Sequence, residues 1–321
     1  MKADGVFEGG GVRGIGLVGA LAGAEEKGYE FVYLAGTSAG AIVAALKAAG
    51  YTALEMKKIL METDFTTFLD PTLLARLPGF VGMGLSIFFH LGIYRGQAFE
   101  EWLRNLLARK GLQHFGDLVM PEYARRPAFR YRLRVVAADL TRGRMLALPQ
   151  DIAYYGLDPD YLEVARAVRM SMSIPFIFCP VVIQGCSLKM KKKKKFYLVD
   201  GGILSNFPVW IFDRREEEQE WPTFGFKLRS SHWQWEECNP IRGPFTMARA
   251  IVETMMEAHD ARYLEEVSYA RTIVIPTGDV KAVDFSLSRK QKEKLYQKGR
   301  EAAEKFFATW DYEEYCRKYV R

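Results

Sequence analysis

Gly36-Thr37-Ser38-Ala39-Gly40 is the stretch on which the fold of this chain turns. Before it, Phe31-Val32-Tyr33-Leu34-Ala35 is β-branched and aromatic enough to predict a short buried strand. After it, Ala41 to Ala49 is rich in alanine and stops at Gly50, which predicts a helix with a glycine end. A strand, a sharp turn centred on serine and a helix together make a nucleophile elbow. Glycine at 36 and 40 lets the two backbones pass close together, and the turn lifts Ser38 Oγ into the open at a helix N-terminus that favours developing negative charge. Gly-x-Ser-x-Gly alone is also an ordinary strand-to-helix turn, so its meaning depends on what surrounds it.

Upstream, Gly5-Val6-Phe7 predicts a strand that runs into Glu8-Gly9-Gly10-Gly11-Val12-Arg13-Gly14 and then into the apolar helix starting at Ile15. Gly9-x-Gly11-x-x-Gly14 satisfies the dinucleotide fingerprint, which also requires an acidic residue at the end of the second strand. That strand ends in Ala35-Gly36-Thr37-Ser38, so the dinucleotide reading fails its own test. The remaining reading is an oxyanion hole: residues without Cβ let backbone N–H groups of Gly9, Gly10, Gly11, Val12, Arg13 and Gly14 converge at a helix start. The Arg13 side chain either adds positive charge there or braces the loop.

Length and composition fit one large α/β domain, 1–321, with insertions, or two small domains; the single domain is the expectation. The 321 residues are 49% hydrophobic and 26% charged, ordinary for a globular protein. Cys179, Cys186, Cys238 and Cys316 are scattered without a C-x-x-C, which suggests buried thiols in a reducing compartment rather than disulfides or zinc. No apolar leader or uninterrupted apolar run of about 20 residues is present, and the expectation is a cytoplasmic chain. The net charge of +6 is matched in number by six lysines within seven residues, Lys189 and Lys191, Lys192, Lys193, Lys194 and Lys195. They are candidates for peripheral contact with an anionic membrane; the plainer reading is a solvated hairpin tip between Val181-Val182-Ile183 and Phe196-Tyr197-Leu198-Val199. No aromatics interleave with them, so nothing supports nucleic-acid binding.

Thr52 to Asp64 and Arg95 to Lys110 carry helical periodicity. Between them, Leu77 to Tyr94 is the most apolar run in the chain, broken by glycines, and so poorly suited to a membrane span or a regular core helix. It is expected to be a lid or acyl-chain pocket facing a lipid interface, or else a buried loop with a short helix. Leu133 to Ala138 and Arg144 to Leu148 predict two strands, and Tyr161 to Met172 a helix stopped by Pro175. Tyr197-Leu198-Val199-Asp200-Gly201-Gly202 predicts a buried strand ending in an acid. An acid at the carboxyl end of a strand in an α/β sheet is expected on the edge that carries the elbow; on its own the Asp-Gly is only a turn former.

Taken in order, the glycine loop, the Gly-x-Ser-x-Gly elbow and the strand-terminal Asp-Gly-Gly resemble the patatin-like phospholipase family. The resemblance extends to Arg169-Met170-Ser171-Met172-Ser173-Ile174-Pro175, similar to the family's serine-and-proline block, and to Ala138-Asp139-Leu140. It spans Val6 to Pro208. It implies a three-layer α/β/α sandwich with a central, mostly parallel sheet, and a serine–aspartate dyad, Ser38 with Asp200, without histidine. It also implies lipid or phospholipid ester substrates. No cofactor is expected, and no metal, since no Asp-rich loop of calcium-binding spacing appears. Glu8 departs from the small residue that many bacterial relatives carry before the glycines. Beyond Pro208 a helical C-terminal part, 244–321, is expected, with one helix from Pro244 to Leu264 and another capped by Ser288 and Gln291. Two rival functions remain. One is a Ser-His-Asp esterase using His232 or His259, for which the elbow comes too early in the chain. The other is a non-catalytic phosphate- or lipid-binding module built on the glycine loop.

Overall fold

The computed structural model describes the chain except residues 124–128, 187–192, 214–219, 231–240, 242, 244–245, 248–249, 252–253, 256–265 and 320–321. Its frame is an eight-stranded sheet of β1 (Lys2–Phe7), β2 (Glu30–Thr37), β4 (Leu133–Asp139), β5 (Arg144–Leu148), β7 (Val181–Cys186), β8 (Lys193–Asp200), β9 (Thr223–Ser230) and β10 (Thr272–Gly278). Two more strands, β3 (Gly92–Tyr94) and β6 (Phe176–Phe178), form a small separate sheet. The main sheet runs β10-β9-β1-β2-β4-β8-β7, with β5 also on β4. From β10 to β4 every pairing is parallel; β5 and β8 run antiparallel to β4.

Alternation along the strands separates two cores. Ala3 and Phe7 of β1, Leu34 of β2 and Val135 and Ala137 of β4 face the larger one; Val6, Tyr33, Ala35 and Val136 face the other. The larger core is roofed by α1 (Ile15–Glu26), α2 (Ala39–Ala48), α3 (Ala53–Glu62) and α5 (Gln97–Ala108). Helix α1 is buried from Ile15 to Ala24, apolar all round, because the sheet lies on one side of it and α8 (Arg289–Phe307) on the other. The remaining described helices are α4 (Gly79–His90), α6 (Val164–Ser171), α7 (Glu266–Ala270) and α9 (Tyr312–Tyr319). Ile211 and Phe212, from a 3-10 turn, and Trp221 cover the opposite face.

Three expectations change. The apolar run is a regular helix, α4, despite its glycines: Gly82 packs on the backbone carbonyls of Leu74 and Leu77, and Ser86 is tied by hydrogen bonds to Thr72 and Gly92. The span 244–321 contains a sheet strand, β10, besides its helices, because β9 and β10 extend the parallel sheet beyond β1. The helix predicted over Tyr161 to Met172 is shorter, Val164–Ser171, since a separate 3-10 turn occupies Pro159–Tyr161. The Ser288–Gln291 capping box opens α8 as the sequence predicts. The helix expected over Pro244 to Leu264 falls mostly outside the described residues. Among the described residues no helix is long and apolar enough to cross a membrane.

Candidate active site

Ser38 sits between β2 and α2 with φ 51°, ψ −121°, one of three non-glycine residues with positive φ among those described. Such a conformation costs on the order of 1–3 kcal/mol and persists only where the surroundings enforce it. Here the enforcement is visible. A Cβ on Gly36 would overlap the Gly40 carbonyl group, and one on Gly40 would overlap the Phe7 carbonyl oxygen, so the elbow is as tight as the backbones allow. The Ser38 carbonyl accepts from Ala41 and Ile42 and starts α2. Its own N–H donates to Ser171 Oγ at 2.8 Å, and Ser171 Oγ donates in turn to the Val136 carbonyl at 2.5 Å.

Strand register explains why Asp200 lies beside it. Along β4, residues Val135 to Asp139 pair with β5 on one edge. The other edge is shared: β2 occupies it up to Thr37 opposite Val136, and β8 comes from the far end down to Asp200 opposite Ala137. The two strands run head-on into each other, and where they stop stand Ser38 and Asp200. The sequence placed Asp200 on the elbow's edge by the rule for parallel strands; the structure brings it there because β8 is antiparallel.

Asp200 is fully buried. Its N–H donates to the Ser173 carbonyl at 2.9 Å, and its Oδ1 accepts from the Gly202 N–H at 2.8 Å. Its Oδ2 is buried with no hydrogen-bond partner. Burial pushes the carboxyl up to about 7, with the Gly202 N–H and the nearby Ser38 hydroxyl pulling the other way. The Ser38 hydroxyl is thus close enough to be felt without closing a bond of full geometry on Oδ2. An orphaned buried carboxylate oxygen is rare, and a reacting group is one reason to find it.

The glycine loop passes directly over the serine: a Cβ on Gly9 would come within 3.2 Å of Ser38 Cβ. Its amides divide into two sets. The Gly9 peptide is clasped by Asn206, whose carbonyl accepts the Gly9 N–H at 3.1 Å and whose Nδ2 donates to the Gly9 carbonyl at 3.3 Å. Val12 N–H donates to the Ala282 carbonyl at 3.0 Å and Arg13 N–H to the Gly10 carbonyl at 3.2 Å. Gly10 and Gly11 N–H donate to no acceptor among the described residues. Arg13 Nε also binds the Gly10 carbonyl, bracing the loop. Glu8 points away onto β9, where it pairs with Lys227 at 3.0 Å and accepts the Leu228 N–H.

Ser38 opens onto a pocket formed by the glycine loop, α2, Phe65, Phe68, Phe99, Trp102 and Phe178. Apart from the Ser38 hydroxyl and the Trp102 indole N–H, every side chain lining it is hydrocarbon or thioether. Neither described histidine, His90 nor His114, lines it, and His232 and His259 lie outside the described residues. Ser171 and Asn206 are the functional-looking residues that the sequence did not single out individually. Ser171 stood within the serine-and-proline block, and Asn206 six residues past Asp200.

A patatin-like phospholipase model matches residues 5–213. The chain belongs to the patatin-like phospholipase family. It is 42% identical over 313 residues to the uncharacterized protein YqhO of Bacillus subtilis, covering 97% of this chain and all of that one. It is 28% identical over 210 residues to the probable lipid hydrolase 463L of invertebrate iridescent virus 6, covering 64% and 61% of the two chains. Among solved structures, VipD of Legionella pneumophila aligns with a TM-score of 0.55 at 18% identity, over 96% of this chain and 67% of that one. The type III effector ExoU aligns with a TM-score of 0.50 at 17% identity, over 96% and 53%. Both share the patatin-like arrangement of a central sheet flanked by helices.

Proposed function

We propose that this chain is a lipid acyl hydrolase in which Ser38 and Asp200 form a catalytic dyad. The observation that carries the reading is the buried, half-partnered carboxyl of Asp200 beside a serine held in a strained elbow, the serine lining a pocket with almost no polar side chains. The matching family model and the iridescent-virus relative named as a probable lipid hydrolase support it.

In the reaction, Asp200 as carboxylate takes the Ser38 proton while Oγ attacks the ester carbonyl. A carboxylate at the ordinary aspartate pKa is a feeble base; one pushed up to about 7 by burial is matched to neutral pH. Negative charge develops on the carbonyl oxygen, and the amides of Gly10 and Gly11 are the donors left to receive it. Collapse breaks the ester C–O bond, the alcohol leaves with the proton from Asp200, and the acyl group remains on Ser38. Water, deprotonated by Asp200, then attacks the acyl carbon; the bond to Ser38 Oγ breaks, the acid leaves, and Asp200 returns the proton to Ser38 Oγ. The apolar pocket takes the acyl chain.

The exposed Lys194 and Lys195 start β8; the rest of the lysine tract, apart from the Lys193 backbone in β8, lies outside the described residues. A contact of this tract with anionic membrane belongs to the same proposal. The test is hydrolysis of a soluble nitrophenyl ester and of phospholipid in mixed micelles by wild type and Ser38→Ala, with fluorophosphonate labelling. Loss of at least about a thousandfold in kcat together with loss of labelling is expected. Labelling that persists in Ser38→Ala, or activity that disappears instead on replacing His232 or His259, overturns the reading.

A further inference from the structure

Helix α4 is built the wrong way round for a helix in water. Its buried positions are Gly82 and Ser86, while Phe80, Val81, Phe88 and Phe89 are 81%, 69%, 76% and 64% exposed. At about 3.6 residues per turn these four share one half of the helix, and Gly82 with Ser86 lies on the other. The inward face is held by polar bonds: Ser86 Oγ lies 2.6 Å from Thr72 Oγ1 and donates to the Gly92 carbonyl at 2.6 Å. The outward face gains nothing from the rest of the chain. Leu73, Leu77 and Leu91 extend the exposed apolar surface at both ends of the helix. Scattered apolar residues on a surface are unremarkable, but a patch of this size is a contact surface.

Its position is as informative as its composition. Residues 71–94 leave the body and return at one point, closed by the Pro71–Tyr94 bridge and by the Thr72 N–H to Ile93 carbonyl bond at 3.0 Å. The chain on either side of that base lines the catalytic pocket, through Phe65 and Phe68 before it and Phe99 and Trp102 after it. Within the base, β3 pairs with β6, whose Phe178 also lines the pocket and whose Phe176 is exposed. The segment that carries the apolar surface is therefore rooted between elements that wall the pocket. From Leu77 to Tyr94 there is no Asp, Glu, Lys or Arg, and the exposed Arg76 and Arg95 bracket the run. Asp70, at the base, is engaged by the backbone N–H groups of Gly96, Gln97 and Ala98, so the run between the two arginines is an apolar face flanked by cations, which suits a layer of acyl chains beneath anionic headgroups.

We propose that the face of α4 carrying Phe80, Val81, Phe88 and Phe89 docks into the surface of a lipid bilayer and presents the mouth of the Ser38 pocket to the membrane. The proposal deepens the hydrolase reading by naming the physical state of the substrate, a lipid still in its layer. It commits the first contact to α4 rather than to the lysine tract. The variants used to test it alter no pocket-lining residue.

Full-length protein is mixed with phosphatidylcholine vesicles, with and without phosphatidylglycerol, and separated by flotation. Wild type and Ser38→Ala are expected to float alike, so binding is read independently of catalysis and a failure of the hydrolase reading leaves this result intact. Phe80→Ser/Phe88→Ser/Phe89→Ser is expected to lose at least about tenfold in vesicle binding while a soluble short-chain ester is cleaved within about twofold of wild type. Phe88→Ser alone, a single exposed change, is expected to fall between the two. Arginine removal, Arg76→Gln/Arg95→Gln, is expected to weaken binding only to the vesicles containing phosphatidylglycerol. Three outcomes overturn the proposal. One is triple-variant flotation equal to wild type. Another is binding that needs phosphatidylglycerol and the lysines but not the phenylalanines. The last is a wild-type dimer by light scattering that the triple variant breaks, without any vesicle binding.

Discussion

Two buried aspartates end neighbouring strands and live in opposite circumstances. Asp139 closes β4, and both of its oxygens are occupied: Oδ1 accepts from the Thr141 and Arg142 N–H groups at 2.8 and 3.2 Å, Oδ2 from the Tyr155 hydroxyl at 2.6 Å. Asp200 closes β8 with the Gly202 N–H on Oδ1, no hydrogen bond of full geometry on Oδ2, and only the Ser38 hydroxyl nearby. Burial is the same; the supply of donors is not. A carboxylate surrounded by donors is part of a turn, whereas one kept short of them is basic enough to move a proton. The comparison is broken most directly by activity. Asp200→Asn is expected to lower kcat by about 10²–10⁴, the range for loss of a general base, with the fold intact by circular dichroism. In the wild type, log kcat/KM should rise with pH and level off near 7, because only the carboxylate can accept the Ser38 proton. Asp139→Ala should leave the position of that limb unchanged.

Stability sharpens the same contrast with the opposite sign. Asp139→Ala strands two backbone N–H groups and a buried phenol, and is expected to destabilise by about 1–3 kcal/mol in urea unfolding. For Asp200 the carboxyl ionises near 3.8 when unfolded and is pushed up to about 7 by burial when folded. The folded state therefore holds an extra proton between those values, and the contribution of Asp200 to stability falls as pH rises from about 4 to about 7. Asp200→Asn has no such proton. Its Tm relative to wild type should climb through that window and stay high above it, at about 1.5 °C per kcal/mol of relieved burial for a chain of this length. A Tm difference that does not change with pH would show that the carboxyl is not perturbed.

How far the sequence could be read depends on whether each signal was local. The elbow was legible because Gly36, Ser38 and Gly40 lie within one turn, and the clash of any Cβ there follows from the backbone alone. The position of Asp200 on the elbow's edge was legible from its strand-end pattern, though the head-on meeting of β2 and β8 depends on β5 occupying the other edge of β4, which no single strand reveals. Helix α4 was misjudged because glycine counts against helices in isolation; what holds it is packing by Gly82 and side-chain bonds by Ser86 at positions that carry no apolar period. The glycine loop was legible as a donor cluster but not in its division. The partners that consume the amides of Gly9 and Val12, Asn206 and Ala282, come from the far side of the sequence.

The smallest effect we predict concerns a residue that touches neither substrate nor proton. A turn at φ 51° points the Ser38 N–H where no helical or strand partner can reach it, and Ser171 Oγ is what meets it. Two residues on, the Ser173 carbonyl takes the Asp200 N–H. One short stretch at the end of α6 therefore holds both Ser38 and Asp200, across strands that otherwise merely abut. Ser171→Ala leaves a buried N–H unmet at the strained residue, a cost of about 1–3 kcal/mol that the elbow can escape by relaxing its turn. If Ser171 is a positioning residue, kcat should fall about tenfold with KM nearly unchanged, since the acyl pocket is untouched and only the attack geometry is lost. Fluorophosphonate labelling of Ser38 should slow in proportion, and Ser171→Thr, which keeps the hydroxyl, should recover most of both. A Ser171→Ala protein that unfolds earlier yet labels at the wild-type rate would mean that the hydroxyl supports the fold and not the nucleophile.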